Sequence, residues 1–338
     1  MRPIFDAELT NPSFGDPGVY LDLKYERRAL LFDIGDISTL PTRKLLRISD
    51  VFVTHTHLDH FCGLDHLLRV CLGRDTGVRL WGPAGLIGQV EHKLAAYTWN
   101  LVQNYATAFV IEAYEYDGRD CLQSARFSSR DRFAREDLAA RPVQDGVLLQ
   151  EPPFKVSALP LQHHDITSLA FAFEEATHMN VWKNRLEALQ LPTGAWLTEL
   201  KRQVRAGAPD DTPIRVHWRT REGSRHETLP LGQLRREVLQ FVPGQKVCYA
   251  ADVADTESNC TALTEFARGA QLLFIEATFL EGDRELAERK AHLTAGAAGR
   301  IARDAGVARA VPFHFSPRYL GREEELRREF AAAATPAR

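Results

Sequence analysis

Residues 51–64 read VFVTHTHLDHFCGL and place His55, His57, Asp59 and His60 within six residues, directly after an apolar run. Alternate side chains of an extended strand end point the same way, so His55 and His57 can face one metal ion. A turn after the strand displaces Asp59 and His60, which can then face a second ion. Imidazole nitrogens and carboxylate oxygens are the ligands that zinc prefers, with manganese or iron also possible. The stretch therefore predicts a metal site at the end of a buried strand.

Later apolar segments also end in residues that bind metals. PLQHHD offers His163 or His164, YAADVAD offers Asp252, and VPFHFSPRY offers His314. Each of these residues alone is more often an ordinary core or surface side chain. Together with the first cluster, all of them at strand ends, they predict a dinuclear centre in which one carboxylate bridges the two ions.

Two further residues suit proton transfer. His292 lies in KAHLTAG, and Glu276 lies in IEATF. Neither is needed to complete the two sets of ligands. The pair therefore fits a proton-donating histidine and the carboxylate that orients it.

Composition places broad limits on the protein. The chain has 338 residues, of which 44% are apolar and 26% are charged, as in globular proteins. It has no apolar run of membrane-spanning length and no secretory signal at its N-terminus, so we expect no membrane association. Five scattered cysteines, never spaced as CxxC, favour a reducing cytoplasm.

The net charge of −3 means that a nucleic acid would have to be met by a local basic patch. Such a patch is predicted from Lys201, Arg202, Arg205, Arg215, Arg219, Arg221 and Arg225. Such a charge run is more often a solvated face, and a contact with an RNA backbone is the alternative hypothesis.

Strand-like and helix-like segments alternate along the chain, which predicts an α/β fold with functional residues at strand ends. Residues 118–145 are rich in Arg, Asp and Ser and are predicted to form a surface excursion. Residues 178–240 are more polar and contain several prolines, which is typical of an inserted segment with short helices. We therefore expect a single domain over residues 1–338, with residues 178–240 as an inserted segment within it.

The motif THTHLDHFCGL resembles the HxHxDH signature of the metallo-β-lactamase superfamily. FIEATF, AHLTAGAAGRIARDAG and VPFHFSPRY resemble the C-terminal half of ribonuclease Z, the tRNA 3′-processing endonuclease. LQLPTGAWLTELK resembles the segment of that family's protruding arm that grips tRNA, which implies that residues 178–240 are an arm-like, substrate-facing insertion. The similarity runs from about Arg28 to Tyr319. It implies an αββα sandwich of two packed mixed sheets flanked by helices, with the arm inserted.

The resemblance also implies roles for individual residues. One zinc ion would be bound by His55, His57 and His164, the last preferred over His163 because of its spacing to SLAFAF. The second ion would be bound by Asp59, His60 and His314, with Asp252 bridging. The ions would activate a water that Asp59 orients, while His292 acts as general acid with Glu276 as its partner. Ser316 and Arg318 would contact the phosphate.

The family's substrate is precursor tRNA, and its members suggest a homodimer. This chain departs from the family pattern at Ile275, Leu293 and Ala195, which implies altered substrate-facing loops around an intact metal core. A phosphodiesterase for a small ester such as a cyclic nucleotide is therefore the alternative. A binding protein that has lost turnover is a third reading, which the intact set of ligands disfavours.

Overall fold

The computed structural model describes residues 4–24, 26–75, 77–220 and 223–335. The chain divides into two compact units. The first unit combines residues 1–174 with 245–338, and the second spans Glu175–Gly244. No helix among the described residues is both long and apolar enough to cross a bilayer. All five cysteines are free thiols.

The first unit contains an eight-stranded sheet whose strands follow one another in chain order. β3, β4, β5 and β6 run parallel, and the outer strands pair antiparallel. The strands are β1 (Phe5–Leu9), β2 (Val19–Leu23), β3 (Arg28–Phe32), β4 (Ile48–Phe52), β5 (Gly77–Pro83), β6 (Val110–Tyr116), β7 (Cys121–Ser128) and β8 (Arg135–Pro142).

A six-stranded sheet completes the framework, in the order β18-β17-β16-β11-β10-β9. Its strands are β9 (Val147–Glu151), β10 (Phe154–His163), β11 (Ile166–Glu175), β16 (Lys246–Ala250), β17 (Leu272–Glu276) and β18 (Ala310–Phe313). β16, β17 and β18 are parallel, so their carboxyl ends meet at one edge of the sheet.

Aromatic side chains fill the space between the two sheets. Phe32 and Phe52 of the first sheet contact Phe171 of the second at ring-centre distances of 5.9 and 5.5 Å. Helices cover the outer face of each sheet. They are α1 (Thr42–Leu45), α2 (Leu58–Phe61), α3 (Leu64–Cys71) and α4 (Leu86–Ala95) on one side, and α8 (Glu257–Phe266), α9 (Arg284–Lys290), α10 (Ala295–Asp304) and α11 (Glu323–Ala334) on the other. The predicted αββα sandwich is confirmed.

The second unit has its own apolar core, which includes Trp196, Leu200 and Val216. Its elements are β12 (His178–Val181), α5 (Lys183–Ala188), α6 (Trp196–Arg205), β13 (Pro213–Thr220), β14 (Gly223–Pro230), α7 (Leu231–Val238) and β15 (Leu239–Val242). β12 pairs with β15, and β13 pairs with β14 as a hairpin that the sequence did not indicate.

One stretch of the first unit was predicted wrongly. Residues 118–145 are not an unpatterned excursion, because they contain β7 and β8 of the larger sheet. β8 reads REDLAARP and is exposed along nearly its whole length, as expected of an edge strand that charged side chains protect from further pairing. Its charge therefore concealed its strand character.

An ionic network around the buried Asp50 joins the two sheets. Asp50 of β4 has a fully buried carboxylate that pairs with Arg28 at 2.7 Å and with Arg79 at 2.6 Å. Both guanidinium groups also reach Glu151 of β9, at 2.5 and 3.1 Å. Burial alone would raise the pKa of Asp50, but the two guanidinium groups outweigh it and hold that pKa below its ordinary value.

We predict that Asp50→Asn lowers the free energy of unfolding by about 3 kcal/mol, because it leaves two guanidinium groups without their buried partner. Urea unfolding at neutral pH measures this difference. Since the folded-state pKa is depressed, the difference from wild type should shrink as the pH falls below about 4. The matched control is Asp6→Asn, which breaks an exposed pair with Lys24 and should cost less than about 1 kcal/mol. Equal losses in the two variants would contradict the role of the network.

Candidate metal centre

Four strand ends bring the candidate ligands together. β4 ends at Phe52, and the following loop carries His55 and His57 into α2, which holds Asp59 and His60. His163 is the last residue of β10, Asp252 lies two residues past the end of β16, and His314 directly follows β18. Asp252 and His314 adopt left-handed backbone conformations, with φ of 54° and 57°. Such conformations are uncommon outside glycine and cluster at functional sites.

Asp252 lies at the centre of the cluster, and its two oxygens face different histidines. Oδ2 lies 3.5 Å from Nε2 of His55 and 3.5 Å from Nε2 of His163. Oδ1 lies 3.4 Å from Nε2 of His60 and 3.1 Å from Nδ1 of His314. One carboxylate therefore separates two groups of imidazoles.

Each group has the composition of a metal site. His55, His57, His163 and Asp252 each offer a ligand atom, and all four atoms lie within 4.8 Å of one another. Asp59, His60 and His314 form a second such group. Their imidazole and carboxylate atoms match the donor set of zinc and related divalent metals.

The hydrogen bonding of the site fits a bound cation. Among the described residues, His55 Nε2, His60 Nε2, Asp252 Oδ1 and His314 Nδ1 are buried without a hydrogen-bond partner. Leaving such atoms unsatisfied costs about 1–3 kcal/mol each. Four such atoms that face one another would be unfavourable if the cluster served packing alone. They are favourable for binding a cation, so the cluster is suited to divalent metal.

Burial and mutual charge shift the ionisation of the same groups. Burial lowers the pKa of His55 to about 2, which keeps its ring neutral and able to ligate. Burial would raise the pKa of Asp252, but the imidazoles of His60 and His314 hold it well below its ordinary value. The pKa of Asp59 is lowered in the same way. Burial would raise it, but His314 and His60 lower it to about 2. Both carboxylates are therefore ionised at neutral pH, as metal binding requires.

A buried network behind the ligands fixes His60. Its Nδ1–H donates to Oδ2 of Asp33 at 2.9 Å, which leaves Nε2 with its lone pair toward the metal site. The same carboxylate accepts hydrogen bonds from the backbone N–H of Thr54 at 2.7 Å and from the hydroxyl of Tyr249 at 2.8 Å. Tyr249 belongs to β16, so the network ties the His60 segment of one sheet to a strand of the other.

Glycine allows the loops of the site to approach closely. A Cβ added to Gly35 would lie 1.9 Å from the carbonyl oxygen of Asp59. One added to Gly63 would lie 2.1 Å from the carbonyl oxygen of Gly35. Both glycines are therefore required where the loop after β3 packs against α2.

The pair Glu276 and His292 lies beside the ligands. Nδ1–H of His292 donates to Oε2 of Glu276 at 2.8 Å. The hydroxyl of Thr278 donates to the same oxygen at 2.5 Å, and the backbone N–H of Val253 donates to Oε1. Burial would lower the pKa of His292, but the Glu276 carboxylate outweighs it and raises that pKa.

Asp252, Glu276, His292 and His314 form a further group of four within ligand distance of one another. The oxygens of Glu276 already accept three hydrogen bonds. This geometry favours an orienting carboxylate over a metal ligand.

Comparison with known proteins agrees with this geometry. The family profile described as Beta-lactamase superfamily domain matches residues 9–113 and 202–315. A ribonuclease Z of Deinococcus radiodurans is 30% identical over 307 residues, which cover 90% of this chain and 86% of that protein. A ribonuclease Z of Thermobifida fusca is 32% identical, with coverage of 92% and 82%.

The chain belongs to the ribonuclease Z family of the metallo-β-lactamase superfamily. The metallo-β-lactamase fold protein YhfI from Bacillus subtilis superposes on it with a TM-score of 0.53. That superposition covers 97% of this chain and 91% of YhfI. At 15% sequence identity, this likeness concerns the fold alone.

The structure corrects one choice among the ligands expected from the ribonuclease Z resemblance. His163, and not His164, joins the cluster, because the last residue of β10 points its side chain inward. Nδ1–H of His163 donates to the carbonyl of Ala291 at 2.9 Å, which leaves Nε2 for a metal. His164 follows with φ of 53° and is exposed at the mouth of the cavity. Because successive side chains of a strand point to opposite faces, the inward position of His163 leaves its neighbour His164 on the outside.

Several of the other expected residues line one cavity of about 430 Å³. Asp59, Asp252, His292, His314 and Ser316 line it. Arg318 does not line the cavity. It is exposed, with its guanidinium carbon 5.8 Å from the ring centre of Tyr319.

Sequence reasoning missed the residues that support the ligands. Asp33, Thr54 and Tyr249 offer no motif of their own, although Asp33 directly follows the buried strand β3. Thr278 was quoted within IEATF but was given no role. Lys290, which also lines the cavity, lies within the KAHLTAG stretch and offers no motif of its own either.

We predict that Tyr249→Phe lowers zinc affinity about tenfold, because Asp33 loses a hydrogen bond and holds His60 less firmly. Competition with a fluorescent zinc chelator measures this change. The control is Tyr116→Phe, which removes a hydrogen bond from the hydroxyl to the carbonyl of Arg119 at 3.0 Å, far from the ligands. Wild-type affinity in both variants would refute the supporting role of Tyr249.

Proposed function

We propose that the protein is a metal-dependent endoribonuclease that removes the 3′ trailer of precursor tRNA, cutting after the discriminator base. The proposal rests on relatives named ribonuclease Z over most of the chain. The structural observation that carries it is Asp252, which lies between two groups of ligands beside a histidine–glutamate pair. This arrangement suits hydrolysis of a phosphodiester.

The two groups would hold two zinc ions, with manganese or iron as other candidates. The first ion would be held by His55, His57, His163 and Asp252, and the second by Asp59, His60, His314 and Asp252. When bound, the ions supply Lewis acidity that polarises the phosphodiester and makes water a stronger nucleophile at neutral pH.

The chain's own residues would then handle protons and orientation. Glu276 fixes the Nδ1 side of His292, so Nε2 is the atom that delivers a proton to the leaving oxygen. Asp59 lines the cavity with a half-exposed carboxylate, positioned to orient the attacking water. The Ser316 hydroxyl would contact the phosphate inside the cavity. Arg318 would contact it only at the outer surface.

The second unit would contribute RNA contacts of its own. Arg215 is exposed on β13, whereas Arg202 of α6 pairs with Glu199 at 2.6 Å. Arg221 lies outside the described residues, as do the side chains of Arg205, Arg219 and Arg225. That residues 178–240 act as a tRNA-gripping arm stays a prediction, as do the homodimer and the cytoplasmic location.

The decisive experiment compares two substrates in the zinc-loaded protein. Wild type should cleave precursor tRNA and also bis(p-nitrophenyl) phosphate. Cleavage of the small ester alone would replace the tRNA proposal with a small-molecule phosphodiesterase. Cleavage of neither would indicate a binding protein.

His292→Ala adds a test of the proton donor. The turnover of precursor tRNA should fall by roughly 10²–10⁴-fold, since its leaving ribose oxygen needs a proton. The loss should be much smaller for bis(p-nitrophenyl) phosphate, because p-nitrophenolate leaves without one. Metal content should stay at the wild-type value. Equal losses on both substrates, or loss of metal, would contradict the assignment.

A further inference from the structure

The cavity beside the metal ligands has a charged lip that the mechanism above does not use. Besides the ligands, His292 and Ser316, the residues lining it include Lys290 and His164. Both side chains are exposed. Lys290 is the only lysine or arginine among the described residues that line this cavity. We call Lys290 and His164 the lip.

The fold brings the two lip residues together through their neighbours. His163 donates from Nδ1 to the carbonyl of Ala291 at 2.9 Å. His164 follows His163, and Lys290 precedes Ala291, so this hydrogen bond joins the two segments that carry the lip. The lip therefore lies on the side of the cavity formed by the end of β10 and the end of α9.

The backbone holds His164 in an outward position. Its φ of 53° turns the chain away from the strand directly after the buried His163. The amide of Gln162 donates from Nε2 to the carbonyl oxygen of His164 at 3.2 Å. The ring centre of His164 lies 5.8 Å from that of His163, so the ring is near the ligands but outside them.

Lys290 forms no ion pair within the parts of the chain that the structure describes. Arg284, at the other end of α9, instead pairs with Asp255 at 3.0 Å. A lysine ammonium group carries three donors and a full charge. Without a protein carboxylate beside it, it is available to a ligand's anion.

Building on the proposed function, we propose that Lys290 and His164 bind a phosphate of the RNA next to the scissile one, and so favour a polynucleotide over a small ester. The ligands and Ser316 face the scissile phosphate at the base of the cavity. A second phosphate of the same strand would lie toward the rim, where the ammonium group and the imidazole N–H are. A single-phosphate ester offers the lip no such partner.

The experiment measures kcat/KM of the zinc-loaded protein for precursor tRNA and for bis(p-nitrophenyl) phosphate, and takes their ratio. Lys290→Ala should lower the ratio about ten- to a hundredfold, mainly through the KM for tRNA. KM for tRNA should also depend less steeply on salt concentration, with the slope reduced by the amount expected for the loss of about one phosphate contact. His164→Ala should lower the ratio less, and Lys290→Arg should restore most of it.

Arg289→Ala is the matched control, because Arg289 is the exposed neighbour on α9 that does not line the cavity. It should leave the ratio at the wild-type value. An unchanged ratio in Lys290→Ala, or an equal fall with both substrates, would overturn the inference. If wild type cleaves only the small ester, the proposed function itself fails, which is distinguishable from failure of the lip alone.

Discussion

The site depends on one buried carboxylate that faces two sets of imidazoles. Asp252 can do so only because it lies past the end of β16 in a left-handed conformation, with Oδ2 toward His55 and His163 and Oδ1 toward His60 and His314. A buried carboxylate among unpaired imidazole nitrogens is stable when cations satisfy them. The packing of the site is therefore suited to divalent metal.

The packing of the two sheets makes this convergence possible. Phe32, Phe52 and Phe171 hold the sheets together, and Tyr249 reaches from one sheet to Asp33 of the other. Asp33 in turn orients His60. The ligands thus come from both sheets, and their geometry is only as rigid as the interface between the sheets.

Much of the fold and site could be predicted from sequence because the residues involved follow buried strands. The HxHxDH stretch, Asp252 and His314 carry a local signal of this kind. The choice between His163 and His164 depended on where β10 ends, which spacing to a downstream motif could not determine. β8 was missed because an exposed edge strand has no apolar alternation. Lys290 was missed because its proximity to the site arises from a hydrogen bond between distant segments.

Counting bound zinc by equilibrium dialysis, with anomalous diffraction to locate the ions, tests the central claim most directly. We expect two ions per chain on either side of Asp252 in wild type and in His164→Ala, and loss of the first ion in His163→Ala. A wild-type protein that binds no zinc would contradict the account. So would a single ion remote from Asp252, or metal loss in His164→Ala with retention in His163→Ala.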